Sequence, residues 1–303
     1  MASDGNGSKF FLKRYAALGE RVSGFELKRS IRVNTLKISR NEIVARLSAL
    51  GVDLKKIPFV KDGFWIEKSR FSLGAITEYL LGYYHLQEAA SQIPAEILNP
   101  KEDDIVLDMA ASPGGKTSQL SAIMKNKGAI VSLELKPHRL VALKVNLERL
   151  GAKNVVAYLY DARDAPKFGI QFDKILLDAP CSGNFIGDAD WFAKRDIAGI
   201  QRSSDIQRGL LKAAVASLKK GGTLVYSTCS LEPEENELNI QWLLDNFGKG
   251  EGLELEETGL SMGSAGLTNI FGKKLNAEIA KCIRFWPNKT GTQGFFVAKL
   301  RKK

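Results

Sequence analysis

Cysteine and histidine are scarce in this chain: three cysteines (Cys181, Cys229, Cys282) and two histidines (His85, His138) in 303 residues. No two cysteines form a Cys-x-x-Cys pair, which excludes a disulfide scaffold and a cysteine-rich zinc site. Two histidines are too few for a histidine-based metal centre, so no metal is expected. No apolar run reaches the roughly 18 to 20 residues that a membrane span needs. Met1 to Gly7 is polar and small and lacks the apolar core of a signal peptide. Internal repeats and long low-complexity tracts are absent too. The expectation is a soluble cytoplasmic protein with no membrane partner. What is present suffices for a core: 44% of residues are hydrophobic and 26% charged. The length suggests two domains, one large and one small.

The net charge of +10 is unevenly placed. Residues 1–70 carry 15 Lys/Arg against 7 Asp/Glu, and residues 271–303 carry 9 against 1. The middle of the chain is net acidic. Basic flanks around an acidic centre suit a polyanion held over a site of a different character. Arg14, Lys28, Arg29, Arg32 and Arg40 on one flank, and Lys273, Lys274, Arg284 and Lys299 on the other, are the candidate phosphate contacts.

Residues 1–75 read as a small α/β domain of RNA-binding type. Phe10–Leu12 and Tyr15–Leu18 fit an amphipathic helix, Ser30–Leu36 alternates like a strand, and Asn41–Leu50 carries a helical apolar stripe that Gly51 stops. Phe64–Ile66 is a short strand. Residues 76–100 read as linking helices that belong with the remainder, 76–303. From Ile105 onward strands and helices alternate: strands at 105–109, 129–135, 154–160, 174–177 and 222–227, and helices at 116–124, 137–150, 204–218 and 233–247. Residues 253–257 and 294–300 are candidates to close the sheet. Such alternation predicts a mostly parallel sheet covered on both faces.

In sheets of this kind ligands bind at the carboxyl ends of the strands. Four strand ends in succession carry acid or glycine. Ser112-Pro113-Gly114-Gly115-Lys116 follows the first strand and opens a helix, where glycines admit a close approach and free N–H groups face the ligand. Glu134 ends the second strand, where a carboxylate accepts from both hydroxyls of a ribose. Asp161 and Asp178 end the third and fourth. The glycine loop is not Gly-x-Gly-x-x-Gly, which disfavours a dinucleotide-dependent oxidoreductase. Ala110 stands where a phosphate loop needs its first glycine. A ligand with ribose and adenine but no pyrophosphate fits, and S-adenosylmethionine is such a ligand.

Cys181 and Cys229 follow the fourth and fifth strands, so both face the same crevice. A thiolate adding to carbon 6 of a pyrimidine makes carbon 5 nucleophilic enough to take a methyl group. Asp178 is placed to bind the ring edge at its amino group and ring nitrogen, and to hold a proton there. The residues alone leave open which thiol attacks. A target base must be unpaired or flipped to reach either.

Asp108-Met109-Ala110-Ala111-Ser112-Pro113-Gly114-Gly115-Lys116-Thr117, Asp178-Ala179-Pro180-Cys181-Ser182-Gly183, and Tyr226-Ser227-Thr228-Cys229-Ser230 followed by Pro233-Glu234-Glu235-Asn236 resemble the RsmB/Nop2/Sun family of RNA cytosine-5 methyltransferases. Arg32–Leu36, Gln87–Ser91 and Thr292–Phe296 resemble its flanking motifs, so the resemblance covers roughly residues 30–303. It implies a class I S-adenosylmethionine-dependent fold, Rossmann-like, with a seven-stranded mostly parallel sheet and a small N-terminal RRM-like α/β domain. It assigns the nucleophile to Cys229, product release to Cys181, and base binding and protonation to Asp178, with Lys116 beside them. For the cofactor it implies Ala110, Ala111, Ser112, Pro113, Gly114, Gly115, Lys116, Glu134, Arg139, Asp161 and Asp178. The implied partner is RNA. Transfer RNA is favoured by the compact architecture and by similarity to archaeal members acting on tRNA; ribosomal RNA comes second. A non-catalytic RNA-binding assembly factor is the remaining alternative. A monomer is expected, and a helper protein that narrows specificity is left open. The sequence departs from the family at Pro287-Asn288, where Pro-His is common, so no role falls to a histidine there.

Overall fold

The computed structural model describes residues 5–22 and 26–303; the polar start of the chain, residues 1–4, lies outside the described residues. After helix α1 (Gly5–Ala17) come β1 (Ser30–Val33), α2 (Arg40–Ala49), β2 (Asp53–Lys56), β3 (Gly63–Lys68), α3 (Thr77–Leu80) and β4 (Tyr84–Leu86). The strands form one antiparallel sheet in the order β2-β3-β1-β4, the split βαββαβ arrangement expected of an RRM-like unit. Period-2 alternation turns Ile31, Val33, Phe64, Ile66 and Tyr84 into a core with Ile43 and Leu47 of α2. The helix starts at Ser39, whose side chain accepts from the Glu42 N–H, and stops before Gly51, which holds a φ of +79°. Strand β4 lies past residue 75. Three residues are too few to show a period, and only pairing with β1 defines this strand.

The other face of the small sheet meets the large domain. Arg32 points from it and is buried: its guanidinium donates to Gln87 Oε1 (2.7 Å), Ser118 Oγ (2.8 Å) and the Gly115 carbonyl. Arg32 is therefore a docking residue and not the phosphate contact its charge suggested. Helix α1 also packs away from the small sheet. Its Phe11 and Tyr15 lie against Trp191, Ile200, Leu231 and Trp286, and Tyr15 donates to Glu232 at 2.7 Å.

The large domain runs α4 (Ile93–Leu98), β5 (Ile105–Asp108), α5 (Gly115–Ile123), β6 (Ala129–Glu134), α6 (Pro137–Leu150), β7 (Val155–Leu159), β8 (Phe172–Asp178), α7 (Trp191–Lys194), α8 (Ile197–Ser217), β9 (Leu218–Thr228), α9 (Glu237–Leu243), β10 (Leu253–Glu256), β11 (Ser264–Ala265), the ribbon β12 (Asn269–Ile270) and β13 (Lys273–Lys274), β14 (Ile283–Phe285), α10 (Pro287–Thr290) and β15 (Phe295–Lys302). The sheet order is β7-β6-β5-β8-β9-β15-β14, the expected seven strands; β11 extends the β14 edge and β10 pairs with β15, giving nine. Strands β5 to β9 are parallel to their neighbours in that series, and β15 and β14 are antiparallel. Alternate residues bury on opposite faces. Leu107, Ile175, Leu177 and Tyr226 pack with Leu211 and Ile240, whereas Val106, Ile130, Leu176 and Val225 pack with Ile93 and Leu120. Both faces are covered, so the strands read as continuous apolar runs. Strand order reverses between β5 and β8, which opens the crevice at their carboxyl ends.

In the large domain three elements begin four or more residues from where they were expected. Helix α8 begins at Ile197, because Asp196 caps it by accepting from the Gly199 N–H. Strand β9 begins at Leu218 instead of Gly222. The helix expected from Pro233 begins only at Glu237, because residues 233–236 form tight turns in which the Glu235 N–H donates to the Glu232 carbonyl and the Asn236 N–H to the Pro233 carbonyl. No helix of the described residues is long and apolar enough to cross a membrane.

Candidate active site

Strands β8 and β9 are parallel neighbours in register at Asp178 and Ser227, so the residues that follow each strand emerge together. Cys181 and Cys229 emerge this way, half-buried, with their Sγ atoms 3.0 Å apart. The Cys181 thiol is pushed well up by its hydrogen bond to Cys229 and by burial, so it holds its proton. Cys282 is fully buried in the core and takes no part. On the same rim Asp178 is held from two sides. Its Oδ2 accepts from Lys116 Nζ at 2.6 Å, and its Oδ1 accepts from Ser227 Oγ at 2.7 Å. Lys116 also donates to Ser91 Oγ at 2.8 Å, which anchors the lysine to the segment before α4.

The two cysteine loops are braced by residues after β9. Glu235 is fully buried and accepts from the Ser182 N–H (2.9 Å), the Ser182 hydroxyl and Gln207 Nε2 (2.9 Å), which holds the loop after Cys181. Asn236 accepts from Thr228 Oγ1 (2.6 Å) and donates to the Ser230 carbonyl (2.9 Å), which holds the loop around Cys229. Asn184 crosses between the loops and donates to the Cys229 carbonyl at 2.6 Å. Sequence reading quoted Pro233–Asn236 as a motif but gave it no role. Its place directly after the fifth strand was readable, but the loops it joins were not. Ser91, Ser227, Asn184 and Gln207 were not singled out individually.

Two cavities flank the loop after β5, and Ala110 borders both. One, about 250 Å³, is lined by Glu134, Arg139, Asp161 and the apolar Met109, Leu135, Tyr160, Ile206 and Leu210. The other, about 210 Å³, is lined by Ala110, Ala111, Ser112, Pro113, Gly115, Lys116, Asp108 and Asp178, with His85, Gln87 and Ser91 opposite. Gly114 borders neither; a side chain there would begin 3.0 Å from Leu143 Cδ1, so this glycine serves the packing of α5 on α6. A side chain at Gly115 would meet His85 Nε2 at 3.3 Å, so the missing Cβ keeps the smaller cavity open. Glu134 is 5% exposed, and one of its oxygens accepts from the Lys136 N–H at 2.9 Å. Arg139 stands 3.6 Å from it and donates to the Ser112 carbonyl at 2.9 Å, tying the loop to the carboxylate. Asp161 is bound by Arg163 and sits below its ordinary pKa for that reason. An apolar slot between two strand-end carboxylates, continuing past a glycine loop, fits a nucleoside that bears a zwitterionic tail.

Asp108 is buried beneath this loop and accepts from Thr117 Oγ1 at 2.7 Å. Burial pushes its pKa from 3.8 up to about 6. A carboxyl raised on folding contributes stability at low pH and loses it as pH rises through the folded value. The Asp108→Asn variant should therefore gain stability relative to the parent between pH 3.8 and about pH 6 and hold a constant advantage above that. Thermal unfolding midpoints of the two proteins across this range measure it; a pH-independent difference contradicts the assignment.

The basic flanks sort into two kinds. Arg284 is 1% exposed and bound bidentately to Glu237, so it is structural. Arg14 is held by Glu232 and Glu234, Lys28 by Glu67, Arg40 by Asp62 and Lys299 by Glu256. Arg29, Lys273 and Lys274 are exposed. Among the described residues, no group of three or more His, Cys, Asp and Glu is placed to hold a metal ion.

Comparison with known proteins agrees with this geometry. The family described as 16S rRNA methyltransferase RsmB/F matches residues 95–301, and the N-terminal domain of 16S rRNA methyltransferase RsmF matches residues 9–89. A tRNA (cytosine(72)-C(5))-methyltransferase of Pyrococcus horikoshii is 39% identical over 256 residues, 83% of this chain and 62% of that protein. A 28S rRNA (cytosine-C(5))-methyltransferase of Mus musculus is 39% identical over 280 residues, 90% of this chain and 35% of that protein. A crystal structure of a methyltransferase homolog protein from Pyrococcus horikoshii superposes with a TM-score of 0.86 at 41% identity, covering 97% of this chain and 95% of the other. The chain thus spans less than two thirds of the length of these curated relatives.

Proposed function

This chain belongs to the RsmB/F methyltransferase family, and from that premise we propose that it methylates carbon 5 of cytosine in RNA with S-adenosylmethionine. The observation that carries the reading is the pair of thiols 3.0 Å apart just after the ends of strands β8 and β9, the first of which ends in Asp178, whose pair with Lys116 lines the smaller cavity. S-adenosylmethionine, when bound, supplies an electrophilic methyl group. Glu134 and Asp161 would hold its nucleoside, and Ala110–Pro113 with Gly115 and Lys116, tied by Arg139, would hold the tail.

The protein's own residues do the rest. Cys229, as thiolate, adds to carbon 6 and makes carbon 5 the nucleophile. Asp178 binds the amino group and ring nitrogen of the base, oriented by Lys116 and Ser227. After transfer a water molecule takes the carbon 5 proton, the double bond re-forms, and the Cys229 sulfur leaves with its electron pair. Cys181 retains its proton and donates to the departing sulfur, which assists release. The working unit is a single chain and the compartment is the cytoplasm.

Transfer RNA is the favoured substrate, supported by the Pyrococcus horikoshii relative. The Mus musculus relative favours ribosomal RNA as the second reading. The test is transfer of tritium from methyl-labelled S-adenosylmethionine to unmodified tRNA transcripts and, separately, to unmodified rRNA. Label recovered as 5-methylcytidine from tRNA supports the reading. Label only in rRNA moves the substrate, and label in neither sinks the activity.

A further inference from the structure

Next to the cysteine pair is a third cavity, about 190 Å³, that the reaction scheme does not use. Cys181 and Ser182 form one wall, and the start of α8 with the residues before it forms the other: Lys194, Arg195, Asp196, Gly199, Arg202 and Ser203. The charges are not equivalent. Lys194 is taken up by Asp188 (3.0 Å) and Asp190 (3.4 Å). Asp196 is committed to the Gly199 N–H at 2.6 Å as the cap of α8. Arg195 donates Nε to the Ser182 carbonyl at 3.0 Å, and no carboxylate pairs with it among the described residues. Its side chain is thereby fixed to the residue that follows Cys181, while the outer edge of the guanidinium remains for an oxyanion. Arg202 lines the same cavity, likewise without an ion pair among the described residues.

A general feature of nucleotides says what belongs there. In a pyrimidine nucleotide with its base anti, carbon 6 is the ring atom nearest the 5′-phosphate of the same nucleotide. A thiol that reaches carbon 6 therefore brings that phosphate to its own side. We propose that Arg195, backed by Arg202, binds the 5′-phosphate of the target cytidine in this cavity and so sets the base over the cysteine pair. The guanidinium fork suits a phosphate better than an ammonium does. The phosphate contact would also help offset the cost of drawing the base out of a stack. This inference rests on the pyrimidine methylation reading and deepens it: it says which backbone group the enzyme grips.

The test uses cytidine 5′-monophosphate, cytidine 3′-monophosphate and cytidine to protect the cysteine pair of the full chain from alkylation by iodoacetamide. The 5′-nucleotide should protect at roughly tenfold lower concentration than the other two. The Arg195→Ala variant should lose that preference while its protection by cytidine is unchanged, and Arg195→Lys should keep part of it. In parallel, binding of tRNA transcripts by Arg195→Ala should show a salt slope shallower by about 1. Equal protection by the 5′- and 3′-nucleotides, no protection by the 5′-nucleotide, or a preference that survives in Arg195→Ala overturns the inference. Unchanged cytidine protection separates a lost phosphate contact from a loop disturbed by loss of the Ser182 bond. Tritium transfer by the parent protein is the independent control. RNA labelled without a 5′-phosphate preference sinks only the cavity assignment; RNA not labelled at all sinks the underlying reading.

Discussion

Replacing Cys229 with alanine is expected to lower methyl transfer at least about a thousandfold, to background, because without the thiolate carbon 5 of cytosine is a poor nucleophile. The Cys181→Ala variant is expected to behave differently. It keeps the sulfur proposed to attack and loses the neighbour 3.0 Å away that is proposed to assist departure. Covalent enzyme–RNA species should then accumulate and appear as a retarded band on a denaturing gel, with turnover reduced. The two variants together read the direction of the assignment. A Cys181→Ala protein that is inactive without an adduct, beside a Cys229→Ala protein that still methylates, exchanges the two roles. The geometry explains why the sequence could not choose: both sulfurs stand at the ends of adjacent parallel strands and reach the same point. The hydrogen bond to its neighbour and burial push the Cys181 thiol up, and the two variants decide which sulfur attacks.

The second large effect concerns stability. Arg284 donates Nε and a terminal nitrogen to the two oxygens of Glu237, each at 2.6 Å, and its other terminal nitrogen to the Leu231 carbonyl at 2.8 Å. Both side chains are essentially inaccessible. Arg284→Ala leaves Glu237 buried without its counter-charge, and the expected loss is about 3–5 kcal/mol. Chemical denaturation should show this as a lower midpoint. Lys273→Ala and Lys274→Ala, on the exposed ribbon, should change stability by no more than about 0.5 kcal/mol. An Arg284 variant as stable as the lysine variants would return this arginine to the surface contacts where its charge first placed it.

Arg284 also shows where sequence reading stops. A count of basic residues registers charge but not burial, so Arg32 and Arg284 looked like Lys273. Where local chemistry decides, the reading was close. Pro137 opens α6 and Gly151, with a φ of +72°, closes it, as proline and glycine in those positions require. The strand ends at Glu134 and Asp178 were legible because alternation and strand-to-helix punctuation are local signals. Strand β4 and the docking of α1 were not legible, because pairing with β1 and packing against Trp191 and Trp286 are tertiary. The site was legible as a set of reactive side chains. The brace of Glu235 and Asn236 was not, because its meaning lies in which loops it joins.

The placement of α1 bears on how the molecule is made. Phe11 and Tyr15 rest on Trp191, Ile200, Leu231 and Trp286. During synthesis this segment leaves the ribosome long before its seat exists, and its apolar side must wait until residues 191–286 have followed. Contacts so distant in sequence close slowly. The nascent chain therefore carries an unseated greasy helix until Trp286 has been made, and that interval, more than the folded state, is when it is exposed to aggregation.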